Sequence, residues 1–188
     1  MHAPGLWSWS VDDATSLYHE AAEGIVVADP LVPADEAERF WRALDRDVER
    51  IGHPPSIVVS SARTVRSAEA VSERYPGAAI YAPPGVPADL GARPLEDGDI
   101  LPGGLVVARA ADGVLLRCTC HGLLWTGDLL HADGAGGLAP AQSLVELDPA
   151  ERASLAERLT DGDVVVAISA LGSAVITAPQ SAVIRALT

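Results

Sequence analysis

Apolar and polar positions alternate over "LWSWSV", where Trp7, Trp9 and Val11 are interleaved with Ser8 and Ser10, the period-two pattern of a half-buried strand. A second strand is expected to include Ser16 to His19. "GIVVADPLVP" forms a short apolar third strand, stopped at Asp29-Pro30 because the residue before proline is held out of the helical region. The period then changes. In "ADEAERFWRALDRDVERIG", Ala37, Phe40, Trp41, Leu44, Val48 and Ile51 recur at helical spacing, with Asp35 as the expected N-cap and Gly52 as the stop. This is an amphipathic helix of the kind that covers a sheet. "SIVVS" resumes as strand, Ala68, Val71 and Tyr75 mark one face of a second helix, and "AAIYAP" is strand again. The first half therefore runs β-β-β-α-β-α-β.

After a Pro/Gly-rich stretch from Pro83 to Gly104, "LVVARA", "GVLLRCTC" and "LLWTGD" predict three strands, the last two joined as a hairpin around His121-Gly122. A polar, Gly-rich loop spans His131 to Gly137. Asp148-Pro149 opens a helix whose apolar face includes Leu155 and Leu159. "DVVVAISA" is expected as the final buried strand, and Pro179 opens a last helix containing Val183 and Leu187. Two sets of strands, each closed by helices, suggest two sheets packed face to face with helices outside. The 188 residues suit one domain over 1–188 with a substantial core.

Composition narrows the function classes. A hydrophobic fraction of 48% with 21% charged residues argues for a folded globular chain. The formal net charge is −13 and all 13 basic residues are arginine, so repulsion disfavours a nucleic-acid or anionic-membrane surface, while a local arginine pocket stays open. "MHAPGLWSWSVDDATS" lacks the basic region and long apolar core of a secretory signal, and no apolar run approaches a bilayer span. Cys118 and Cys120 are too close in sequence to close a loop. The expected compartment is the cytoplasm.

The segments "GIVVADPLVP", "IVVSSARTVRSAEAVSERYPGAAIYAP", "LEDGDILPGGLVV", "LLWTGDLL" and "VVVAISALGSAVI" together resemble, in order and over nearly the whole chain, the metallo-β-lactamase superfamily. The resemblance implies a four-layer αββα sandwich, reduced in size. In that family the strand before the first crossover helix ends in a T-H-x-H-x-D-H motif, because each zinc needs about four ligands, one position being left for water. Here Ser60 falls at the threonine, Ser61 and Arg63 at the first two histidines, Val65 at the aspartate and Arg66 at the last histidine. Gly113-Val114 is the nearest counterpart of a further histidine position, and Leu171-Gly172 stands where the family has a late His-Gly pair. Asp128, after Gly127, matches the bridging carboxylate. On this resemblance the site is vestigial: one carboxylate does not hold zinc without His or Cys partners, and neither a metal nor another cofactor is expected.

Other constellations have plainer readings. "CTCH", Cys118 to His121, does not combine with Asp128 and His131, because His121 lies near the opposite end of the hairpin strand, roughly 20 Å from Asp128 at about 3.3 Å per residue. Cys118 and Cys120 are taken as small apolar residues sharing one strand face, and Asp128 with His131 as a loop brace. Ser61, His131 and Asp128 contain the residue types of a nucleophilic set, without a G-x-S-x-G elbow. Arg63 and Arg66 near a helix start suit a carboxylate or phosphate. Equally, Arg66, or else Arg63, is expected to pair with Asp128. The resulting expectation is a noncatalytic binding or assembly module, a pseudoenzyme of a metal-dependent hydrolase family. Its partner is a protein or a small anion, with homo-oligomerisation left open. Two alternatives stand beside it: a hydrolase with a rearranged site around Asp128, and an arginine-lined small-anion sensor using Arg63, Arg66, Asp128 and His131.

Overall fold

The computed structural model describes residues 2–171, 175–177 and 179–188. The first sheet takes β1 (Leu6–Val11), β2 (Ala14–Ala21), β3 (Gly24–Ala28), β4 (Ser56–Val58), β5 (Ile80–Ala82) and β6 (Arg93–Pro94) in chain order. Its first three strands are antiparallel neighbours and β3 to β6 are parallel. The crossovers between β3, β4 and β5 carry α1 (Ala37–Ile51) and α2 (Ala68–Arg74). The second half supplies β7 (Ile100–Leu101), β8 (Leu105–Ala110), β9 (Gly113–Cys118) and β10 (Leu123–Trp125), an antiparallel run. A separate hairpin, β11 (Leu130–Ala132) and β12 (Leu138–Pro140), precedes α3 (Gln142–Val145) and α4 (Pro149–Thr160). Then β13 (Val166–Ile168) lies parallel to β10 with β14 (Val175–Thr177) outside it, and α5 (Gln180–Leu187) ends the chain. The second sheet is ordered β14-β13-β10-β9-β8-β7.

Three apolar layers hold these elements in an αββα sandwich. Leu44 of α1 and Val71 of α2 pack with Ile57 and Val59 on the outer face of the first sheet. Leu17, Val26 and Val58 meet Leu105, Leu116, Trp125 and Ile168 between the sheets. Leu115 and Leu124 face outward onto Leu155, Leu159 and Val183. All five residues of β3 are buried, as expected for a strand covered by helices on one side and a sheet on the other. Among the described residues, no helix is long and apolar enough to cross a membrane.

Local corrections have physical reasons. The N-cap of α1 is Glu36, not Asp35, while Gly52 ends the helix in the left-handed region at φ 82° as expected. The tryptophans of β1 lie on its outer side: Trp9 packs on Phe40 at 5.5 Å and donates from Nε1 to the Leu31 carbonyl at 2.8 Å, whereas Leu6 is the buried residue and Trp7 stays 46% exposed. The Pro/Gly-rich stretch holds β6 and β7, the polar loop from His131 is bounded by β11 and β12, and β14 follows the strand expected to be last. Each spans only two or three residues, too short to show a period.

Candidate functional site

The C-terminal ends of β3, β4, β10 and β13 meet at one end of the sandwich, placing Asp29, Ser60, Asp128 and Ala170 in adjoining loops. Asp29 is the hub. Its carboxylate accepts the Ser60 N–H and hydroxyl, both at 2.7 Å, and Trp125 Nε1–H at 3.1 Å, so it ties the two sheets together. Asp29 is wholly buried and its backbone is left-handed, at φ 49°. Burial pushes its carboxyl up from the usual range, and the Ser60 hydrogen bonds oppose that shift.

Ser61 starts a single 3₁₀ turn, Ala62–Thr64: its hydroxyl accepts from Arg63 N–H at 3.1 Å, and its own N–H donates to Thr64 Oγ1 at 3.0 Å. This reciprocal capping aims Arg63 across the gap between sheets. Arg63 Nε donates to Asp128 Oδ2 at 2.5 Å, and the Ser61 hydroxyl donates to the same oxygen at 2.9 Å. Arg63 Nη1 also reaches Asp112 at 3.2 Å. The Asp128 side chain is fully buried while that of Arg63 is 54% exposed. The hydrogen bond to Asp128 raises the pKa of Arg63 further above its ordinary value. Asp128 Oδ1 is buried and has no partner among the described residues.

Arg66, the first-choice partner for Asp128, faces elsewhere. After the 3₁₀ turn the chain passes through Arg66 at φ 44°, and the guanidinium turns onto main-chain oxygens: Nη1 donates to Thr15 at 2.8 Å and Asp29 at 3.3 Å, and Nη2 to Ala170 at 2.8 Å. Burial lowers its pKa, with the nearby Asp29 and Asp128 charges pulling the other way. Val65 packs outward with the cluster under α1 and α2. Leu171 is exposed and bridges Ala14, and Gly172 lies outside the described residues. His131 sits on β11 opposite Ala139 and is not a hydrogen-bond partner of Asp128, so the Ser61-His131-Asp128 arrangement does not form. Gly113 has a steric role: a Cβ there would lie 2.9 Å from the Ser60 carbonyl oxygen, which accepts Val114 N–H at 2.9 Å.

The sequence pointed to Ser60, Ser61, Arg63 and Asp128 but missed Asp29 and Asp112. An aspartate directly after a wholly apolar strand was the available signal for Asp29. Cys118 is buried as expected, but Cys120 is exposed in the turn after β9 and does not share its strand face. His19 of β2 approaches both. Burial, reinforced by repulsion from His121, pushes the His19 pKa down to about 4, and burial with the Cys120 contact pushes the Cys118 thiol up to about 11.

Removing the guanidinium from Asp128 is expected to destabilise the protein measurably. Arg63→Met is expected to cost about 2 kcal/mol, below the ~3–5 kcal/mol of a fully buried broken pair because Arg63 is half exposed. Adding Asp128→Asn is expected to recover most of that loss. Urea unfolding of the double-mutant cycle checks it. Additive losses would show that the two side chains are not coupled.

No family profile and no curated protein matches this sequence. Solved structures do match its fold. DIM-1 metallo-beta-lactamase superposes with a TM-score of 0.65 at 12% identity, covering 98% of this chain and 97% of that one. A metallo-beta-lactamase from Erythrobacter litoralis gives 0.63 at 13% identity, covering 98% and 93%. One from Pontibacter korlensis gives 0.61 at 17% identity, covering 97% and 92%. At these identities the likeness establishes the metallo-β-lactamase fold.

Proposed function

We propose, from the metallo-β-lactamase fold as premise, that this protein is a noncatalytic binding or assembly module whose former metal position is closed by an arginine. The observation that carries this reading is the Arg63 guanidinium on Asp128 Oδ2 at 2.5 Å, with the Ser61 hydroxyl on the same oxygen. Zinc takes thiolate, imidazole and carboxylate donors. The groups that face Asp128 are a cation and a hydroxyl, and Arg66 is committed to carbonyl oxygens. This donor set does not fit a zinc ion, because a guanidinium has no lone pair to offer and repels a second cation. A protein partner or a small anion is the class of ligand proposed, the latter because Arg63 is half exposed beside the site.

One observation favours a second reading, a hydrolase rebuilt around Asp128: its Oδ1 is buried without a partner among the described residues, and such an oxygen is costly unless something uses it. Two measurements separate the readings. Screens with β-lactams, thioesters and phosphodiesters are expected to stay at background, and activity that disappears in Asp128→Ala would promote the hydrolase. Zinc stoichiometry by elemental analysis is expected to be the same in the wild type and in Asp128→Asn. Zinc lost specifically with that substitution would overturn the arginine-closed site.

A further inference from the structure

We propose that His19, Cys118, Cys120 and His121 form a structural site for one thiophilic d¹⁰ cation, Zn²⁺, at the end of the sandwich opposite Asp128. From Thr15, beside Arg66, β2 runs four residues to His19, about 13 Å at the strand rise; from Gly113, beside Ser60, β9 runs five residues to Cys118, about 17 Å. The two sites are therefore separate, and this proposal does not depend on how Asp128 functions.

One donor atom from each of His19, Cys118 and Cys120 lies within 4.8 Å of the other two. The sulfurs are 2.7 Å apart and Cys118 Sγ is 3.9 Å from His19 Nε2. Both cysteines are free. The His121 ring, on the residue after Cys120, stands edge-on to His19 with centroids 5.4 Å apart; its nitrogens lie outside the three-donor group, and it would complete the site as the fourth ligand when the exposed turn adjusts. Two thiolates and two imidazoles are a closed tetrahedral set for zinc, and soft sulfur ligands disfavour Mg²⁺ or Ca²⁺. With Zn–S about 2.3 Å and Zn–N about 2.0 Å, the edges of the tetrahedron run from about 3.3 Å between nitrogens to about 3.8 Å between sulfurs. The sulfurs must open by roughly 1 Å from their present separation to meet that geometry. Cys120 lies in an exposed turn, where such a movement meets little resistance.

A second, independent observation is the condition of His19 itself. It is 1% exposed, its Nδ1 has no hydrogen-bond partner among the described residues, and its Nε2 faces the Cys118 sulfur at 3.9 Å. A buried imidazole whose ring nitrogens make no ordinary hydrogen bond among the described residues is expensive, and a cation at the sulfurs would give Nε2 a ligand bond in place of its 3.9 Å contact to Cys118. Gly103, at φ 75°, lacks the Cβ that would overlap this ring, so the fold reserves space for the imidazole. Bound there, zinc joins β2 of the first sheet to the β9–β10 turn of the second.

The test uses the full chain, reduced and stripped with chelator, then titrated with Co²⁺. The expected result is a thiolate-to-cobalt charge-transfer band in the near ultraviolet with strong visible bands, saturating at one equivalent, abolished by Zn²⁺, and a zinc-dependent rise in Tm. Cys120→Ser is expected to weaken binding by roughly tenfold or more and to reduce the charge-transfer band. Because its side chain is in an exposed turn, the variant should remain folded, which circular dichroism checks. His121→Ala is expected to weaken binding without removing that band. Absence of the band in folded protein with two titratable thiols would overturn the proposal, as would a band indifferent to Cys120→Ser. A Cys118–Cys120 disulfide that persists under reductant would do the same. Metal uptake that follows Asp128→Asn instead of Cys120→Ser would overturn this site and the arginine-closed site together, whereas loss with Cys120→Ser alone supports both.

Discussion

Asp29→Ala is expected to destabilise the protein by about 3–5 kcal/mol, the largest effect of any single substitution at this end of the sandwich. The change removes the acceptor for Ser60 N–H, Ser60 Oγ–H and Trp125 Nε1–H in a place without solvent access. Ser60 Oγ still has Thr64 Oγ1 at 3.1 Å, but the two N–H groups lose their carboxylate, and each buried unsatisfied donor costs about 1–3 kcal/mol. Alanine also tolerates the left-handed backbone at φ 49° poorly. Asp29→Asn separates these contributions, since asparagine accepts that backbone and keeps one acceptor for Ser60 N–H while presenting an amide to Trp125. It is expected to lose about half as much as Ala. Urea unfolding with tryptophan fluorescence reads both. Equal losses for Ala and Asn would remove the hydrogen-bond account, and a loss below about 1 kcal/mol for Ala would show that Asp29 is not the hub.

Arg66→Met is expected to cost about 3 kcal/mol, because one guanidinium bridges carbonyls from β2, the end of β3 and the loop after β13. Methionine fills similar space but donates nothing. The backbone at φ 44° is equally unfavourable for Arg and Met, so the difference reports the guanidinium and not the turn. Arg66→Lys is expected to recover less than half, since an ammonium does not reproduce a planar fork with nitrogens on Thr15 and Ala170 at once. Chemical denaturation checks the order Arg, Lys, Met. Lys behaving as Arg would show that only the positive charge matters, through Asp29 and Asp128.

The hydrophobic pattern by itself determined the order of the main elements. Period two marked β1, continuous apolar runs marked β3 and β4, and helical spacing from Phe40 to Val48 marked the face of α1 that packs on the first sheet. Helix ends were equally local, as with Gly52 and the Asp148-Pro149 start, where Asp148 and Glu151 form a capping box. These features rest on contacts within a few residues, so a linear reading reaches them. The strand-to-loop placement of Ser60, Ser61 and Asp128 was legible for the same reason.

Only the tertiary structure decided the rest. Arg63 and Arg66 have the same chemistry three residues apart, and the 3₁₀ turn with the left-handed backbone at Arg66 sends one to Asp128 and the other to the carbonyls. The outward face of the β1 tryptophans depended on where α1 lies, because alternation gives two faces without saying which is inside. Asp29 became a hub through Trp125, 96 residues away. His19 and Cys118 are 99 residues apart in sequence and meet because the two sheets stack. Periodicity records how a segment meets its surroundings, but the identity of those surroundings is set by the stacking of the sheets, and there the paired charge and the thiol cluster were settled.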